Sequence, residues 1–231
     1  MKELFVIQCD PNVPPGLLAE QLIEQGVSYR LLHAYDGESL PFSQEAAAVV
    51  VLGGAMGAGE DEKYPFLRQV KGLIRECVKW GTPFLGICLG GQLLAEVLGT
   101  PVASGSRGEK GNHLVSLTAE GVDDPLFRGI TSPFLTYQWH DDSFDLPTGC
   151  RLLASSGRCP QQAIRYGDVV YGLQFHPEVT ADIASAWLGD KERIARFLPS
   201  FLSAQDEYFV SARILLLNFF HIAGLIPQES S

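Results

Sequence analysis

Apolar and polar positions alternate in two different periods along the first hundred residues. LFVIQ (4–8) is a short apolar run, and the pattern in PPGLLAEQLIEQG (14–26) predicts a helix closed by Gly26. SYRLLHAY (28–35) fits a second strand, and AAAVVVLGG (46–54) a third, buried one running into two glycines. In YPFLRQVKGLIRECVKWG (64–81) the apolar positions 66, 67, 70, 73, 74, 77 and 78 follow the spacing of an amphipathic helix. PFLGIC (83–88) then predicts a fourth strand, and LGGQLLAEVLG (89–99) a helix ending at Gly99. Strands alternating with helices need crossover connections, and therefore a mostly parallel sheet covered by helices.

The pattern changes between about 100 and 178. HLVSL, FLTYQWH, RLLASS, QQAIRY and VVYGLQFH are short strand-like runs separated by turn signals, as in antiparallel or mixed strands. From 181 onward the chain reads as helical again. No repeat, low-complexity segment or long linker interrupts it, so the expectation is one α/β domain over 1–231. It comprises a core of about 1–190 and a C-terminal helical extension over 191–231. The apolar stretch YFVSARILLLNFFHIAGLI (208–226) carries Arg213, Asn218 and His221, which favours a buried or interface helix over a membrane span.

Composition narrows the function classes. Lysine and arginine number 17 against 27 aspartates and glutamates, a formal charge of −10 that excludes a general nucleic-acid binder. The N-terminus MKELFVIQCD lacks a cleavable signal pattern. Five cysteines (9, 77, 88, 150 and 159) lie without CxxC spacing, as expected of reduced thiols in the cytoplasm rather than a disulfide framework or zinc site.

One cysteine stands apart. Gly86-Ile87-Cys88-Leu89-Gly90 fits the G-x-nucleophile-x-G turn between a strand and a helix, where small neighbours allow strand and helix to approach closely. The free N–H groups and positive end of the following helix favour the thiolate. The N–H of Leu89 is placed to donate to an oxyanion, and Gly53-Gly54 can supply a second close-approaching N–H. The plain alternative is a small buried thiol filling the core, which is the reading for Cys9, Cys77, Cys150 and Cys159. A reacting thiolate needs an acid/base partner. His176, in YGLQFHPEV (171–179), ends a strand-like run and stands two residues before Glu178. Pro177 biases it toward extended geometry, which puts side chains i and i+2 on one side, so that Glu178 can accept from one ring nitrogen. A surface His-Pro-Glu turn is the alternative.

GICLGGQLLA, FHPEV and VLGGAMGA together resemble class I glutamine amidotransferases, over roughly residues 40 to 180. The resemblance implies a flavodoxin-like α/β fold and a Cys-His-Glu triad: Cys88 as nucleophile, His176 as acid/base and Glu178 as its orienter. It also implies oxyanion-hole N–H groups from Gly54 and Leu89, and glutamine contacts from Gln92 and from His140 in YQWHDDSF (137–144). The implied reaction, hydrolysis of glutamine through a γ-glutamyl thioester, needs no cofactor and no metal. DDSFDLP and EDEKYPF (60–66) are similar to a stand-alone subgroup that includes γ-glutamyl peptidases, so the donor is either glutamine or a γ-glutamyl peptide such as glutathione. The other readings are docking to a separate synthetase or acceptor protein, a homodimer, and an idle redox-responsive or interaction module of the same superfamily. Gly90-Gly91, where many relatives carry a larger residue, bears on the shape of the glutamine pocket.

Overall fold

The computed structural model describes residues 2–105 and 107–227. Its centre is a nine-stranded sheet. The first half is built from β1 (Glu3–Gln8), α1 (Gly16–Glu24), β2 (Tyr29–His33), β3 (Ala46–Val51), α2 (Phe66–Trp80), β4 (Phe84–Ile87) and α3 (Leu89–Val97). Its four strands pair in parallel. The alternating pattern of the sequence therefore folds as expected, and the runs that read as continuously apolar are the strands buried on both faces. In α2 the stripe Leu67, Val70, Leu73, Ile74 and Cys77 is buried against the sheet. The helix ends where Gly81 turns left-handed at φ 64°.

The second half supplies β5 (Val102–Ala103), β6 (Glu109–Leu117), α4 (Ala119–Val122), β7 (Phe134–His140), β8 (Ser143–Phe144), β9 (Cys150–Ser155), β10 (Ala163–Tyr166) and β11 (Val170–Leu173). β11 returns to the centre and pairs in parallel with β4, while β10, β9, β6 and β7 continue the sheet in antiparallel fashion. The sheet is thus mixed, with its parallel part at the site. β4 and β11, the strands that end at Cys88 and lead to His176, lie side by side in register, Ile87 opposite Leu173.

The chain closes with α5 (Ala181–Leu188), capped by Thr180, and α6 (Lys191–Ile222), capped by Asp190. α6 is one continuous helix of 32 residues despite Pro199. It is not a detachable addition. Phe201, Tyr208, Leu215, Leu216, Phe219 and Phe220 are buried in the same core as the sheet residues Leu4, Val6, Leu85 and Tyr171. Each such large apolar side chain contributes about 1.5–3 kcal/mol by leaving water. Among the described residues no helix is long and apolar enough to cross a membrane.

Candidate active site

Cys88 sits between the last residue of β4 and the first of α3, with φ 49° and ψ −104°, the only positive φ outside glycine among the described residues. A side chain tolerates this region at a cost of roughly 1–3 kcal/mol, and such strain collects where surrounding structure enforces it for a purpose. The enforcement is visible in two bonds. Cys88 N–H donates to Leu173 O at 2.8 Å, and Cys88 O accepts from Gln92 N–H at 2.9 Å. The thiol is therefore raised at the N-terminus of a nine-residue helix, facing its unpaired N–H groups and positive end.

The glycines around it serve the close approach of that helix to the sheet. A Cβ on Gly91 would stand 2.5 Å from Leu173 O, one on Gly86 2.5 Å from Gly90 C, and one on Gly90 would overlap Val51 O. The Cβ directions of Gly90 and Gly91 point into strands β3 and β11, so these residues set the seating of α3 rather than the wall of the cavity. That corrects the expectation that they shape the pocket.

His176 and Glu178 lie beyond β11 in the extended segment their spacing predicts. His176 Nδ1 donates to Glu178 Oε1 at 2.7 Å, with both side chains almost wholly buried. Nε2 is buried with no hydrogen-bond partner of its own. Burial alone disfavours the imidazolium, but the negative charges of Glu178 and Cys88 outweigh it and push His176 up to about 10. Backbone bonds fix the segment: His176 N–H donates to Tyr137 O at 2.9 Å, and Tyr208 Oη donates to His176 O at 2.8 Å. Trp187 of α5 packs edge-on at 4.8 Å from the imidazole and donates its Nε1 to Asn12 O at 2.7 Å.

Cys88 and His176 open into one cavity of about 540 Å³, bordered also by Gly54, Gln92, Trp139 and His140. Gln92 Nε2 donates to Asp142 O at 3.2 Å and to Gln174 Oε1 at 3.4 Å. Leu89 is the first residue of α3, so its N–H has no carbonyl within the helix. A Cβ on Gly54 would stand 3.0 Å from Leu89 Cδ2, so the Leu89 side chain packs against the Gly54 turn, and one on Gly53 would stand 3.0 Å from His176 Cε1. His140 borders the cavity with Nδ1 bonded to Asp142 O at 2.9 Å and Nε2 directed at Glu109, 3.7 Å away. Of the residues singled out in the sequence, Gly54, Cys88, Gln92, His140 and His176 border this space, while Glu178 stands behind His176 and the Leu89 side chain is buried beside Cys88.

Several neighbours were not legible beforehand. Gln174 Nε2 donates to Cys88 Sγ at 3.7 Å, and Asp10 Oδ2 accepts from Ala55 N–H at 3.1 Å, holding the turn after Gly54. Gln174 carried a signal: positions 174, 176 and 178 are polar at the spacing that shares one face of an extended chain. Trp187 and Tyr208 carried none, because tertiary packing alone brings them in.

A strained cysteine at a strand–helix turn thus shares one cavity with a histidine that follows the adjacent parallel strand and is bonded to a glutamate, on an α/β sheet. The family described as glutamine amidotransferase class-I matches residues 16–191, and the chain belongs to that family. It is 34% identical over 163 residues to the glutamine amidotransferase-like protein YfeJ of Salmonella typhimurium, covering 69% of this chain and 68% of that one. It is 40% identical over 104 residues to one of the subunits of the glutamine-hydrolysing GMP synthase of Thermococcus kodakarensis, covering 44% of this chain and 53% of that protein. Among solved structures, a glutamine amidotransferase from Thermotoga maritima superposes with a TM-score of 0.75 at 32% identity, covering 97% of this chain and 94% of that one. One from Methylobacillus flagellatus superposes at 0.87 with 21% identity, covering 100% and 98%, a likeness of fold.

Proposed function

We propose that the protein hydrolyses the side-chain amide of glutamine, with Cys88 as nucleophile, His176 as acid/base and Glu178 as its orienter. The observation that carries this is the strained Cys88 beside a His176 whose Nδ1 is committed to Glu178 while Nε2 has no partner. The charge of Glu178 favours an imidazolium at His176, so His176 can take the Cys88 proton as the sulfur attacks. The thiolate attacks the γ-carbon, and the oxyanion is stabilised by the N–H groups of Leu89 and Gly54. His176 gives its Nε2 proton to the departing nitrogen, ammonia leaves, and a γ-glutamyl thioester remains on Cys88. Water then gives a proton to His176 and its oxygen to the thioester carbonyl, releasing glutamate and restoring Cys88 and His176. Gln92 and the wall around His140 hold the amino-acid end of the substrate.

A second reading has a specific support. The cavity of about 540 Å³, with Trp139, Trp187 and Met56 on its border, falls in the range that encloses a drug-sized ligand and exceeds what a free amino acid fills. A γ-glutamyl peptide such as glutathione, with a dipeptide as leaving group, fits the same triad. The test compares ammonia released from glutamine with Cys-Gly released from glutathione. Faster release of Cys-Gly would replace the first reading by the second, and turnover of neither by the purified chain would sink both as stand-alone activities. One relative is named as part of a GMP synthase, so the assay includes separate acceptor synthetases. Ammonia release that appears only with one of them would make the chain a donor subunit.

A further inference from the structure

Behind the cavity wall lies a second cluster of reactive side chains. Glu109 opens β6, His140 ends β7 directly opposite it, and Cys159 stands between β9 and β10. A carboxylate oxygen of Glu109, a ring nitrogen of His140 and the sulfur of Cys159 all lie within 4.8 Å of one another. The three residues are 5%, 4% and 0% exposed.

The hydrogen bonds decide which atoms remain free. His140 Nδ1 is 2.9 Å from Asp142 O, and because a carbonyl only accepts, the proton is on Nδ1. Nε2 has no hydrogen-bond partner and lies 3.7 Å from Glu109 Oε2. Glu109 Oε1 accepts from Ser156 Oγ at 2.8 Å, and Oε2 accepts from the Gln162 amide. Cys159 Sγ lies 3.1 Å from Ser143 Oγ and donates its thiol proton to Gln161 O at 3.7 Å, which leaves the sulfur's own electron pairs to give. A nitrogen, an oxygen and a sulfur with electron pairs to give therefore converge in a dry interior.

We infer that Glu109, His140 and Cys159 bind one divalent metal ion of the zinc class. Mixed imidazole, carboxylate and thiolate donors suit zinc rather than magnesium or calcium, which prefer all-oxygen shells. The supports are those a metal site uses: a histidine whose other nitrogen donates to a backbone carbonyl, and a carboxylate held by two further donors. Ions at zinc-like bond lengths set tetrahedral ligands about 3.3–3.8 Å apart, so the His140–Glu109 separation of 3.7 Å already fits. The widest separation, at most 4.8 Å, closes slightly on binding. Ser143 Oγ, beside the sulfur, adjoins the fourth position. Binding releases the Cys159 thiol proton and any proton on His140 Nε2. Asp142 O, which takes the His140 Nδ1–H, also takes Gln92 Nε2–H at 3.2 Å, so an ion here stiffens the wall that positions Gln92.

The test uses untagged full-length protein with Cys88→Ala, which removes the other reactive thiolate from the spectrum. Dialysis against cobalt(II) under reducing conditions is expected to leave one equivalent bound, with a thiolate-to-cobalt charge-transfer band that Cys159→Ala abolishes. Zinc affinity should fall at least about 100-fold with Cys159→Ala or with Glu109→Gln, the upper end of what even supporting residues contribute to such sites. X-ray absorption of the zinc-loaded protein with all three ligands intact should give one sulfur, one imidazole nitrogen and light atoms, a measurement that does not depend on any ligand variant folding. Absence of bound metal, a zinc shell without sulfur, or a cobalt band that survives Cys159→Ala would each overturn the assignment.

Discussion

Tyr208, near the middle of the long C-terminal helix, donates its phenol to the backbone carbonyl of His176 and accepts from the N–H of Val179 at 3.0 Å. One buried hydroxyl thus brackets the segment that carries both His176 and Glu178. Removing it in Tyr208→Phe leaves a buried carbonyl and a buried N–H unpaired, so stability should fall by about 1–3 kcal/mol in urea unfolding. If the bracket positions His176, turnover falls while KM barely changes. An unchanged turnover with lowered stability would reduce Tyr208 to a purely structural role.

Cys88 should be the reactive thiol. Burial pushes Cys9 and Cys77 up to about 12, whereas Cys88 lines the cavity that His176 also borders. Iodoacetamide at pH 7, read by peptide mass spectrometry, should modify Cys88 well before either of the others. Cys88→Ala should abolish turnover and leave the circular dichroism spectrum unchanged.

Replacing Gly91 by alanine should cost about 1–3 kcal/mol, the usual range for overpacking, because the new methyl meets the Leu173 carbonyl, not a flexible side chain. Gly72, whose Cβ position has nothing within 4 Å, is the control: Gly72→Ala in the middle of α2 should stabilise the fold slightly. Equal effects at both positions would contradict the close seating of α3.

Stability should decline in alkali through His176. Its folded value is raised to about 10 from an ordinary 6.5, so the folded chain binds more protons than the unfolded one between these limits. The stabilisation is complete below about 6.5 and is lost progressively as pH rises through about 10. Urea unfolding at pH 6 and pH 9.5 should show a larger loss for the parent protein than for His176→Asn, since the other titrating groups are common to both.

Glu178→Gln should lower turnover by roughly 10²-fold or more, within the range for a general acid/base unit, and bring the His176 titration down. The imidazole keeps a hydrogen-bond partner in this variant but loses the charge that holds its proton. Turnover that survives at the parent rate would remove Glu178 from the triad.

The parallel half of the sheet was readable from hydrophobic periodicity because its strands are buried on both faces and its helices on one. The antiparallel half was less so. β6 begins at Glu109, four residues before the apolar run HLVSL, because Glu109, Lys110, Gly111 and Asn112 pair with β7 without any apolar signal. β5 and β8 form a two-residue pair that no periodicity can reveal. Cys88, His176 and Glu178 were legible since each lies in a short local motif with its own geometry. Trp187, Tyr208 and the Glu109–His140–Cys159 cluster were not, since their partners are far away in sequence and meet only through the fold. The cysteine spacing that argued against zinc speaks only of ligands close together in the chain.

The burial of α6 has a consequence for the order in which the site is completed during synthesis. The strands that deliver Cys88 and His176 are made before residue 208, so a nascent or proteolytically shortened chain ending before α6 contains every motif residue and lacks the hydroxyl that brackets the histidine segment. It also exposes the core surface that Phe219 and Phe220 cover. A helix made late is thus a licence for strands made before it, withholding the final seating of the His176–Glu178 segment until α6 has emerged and packed.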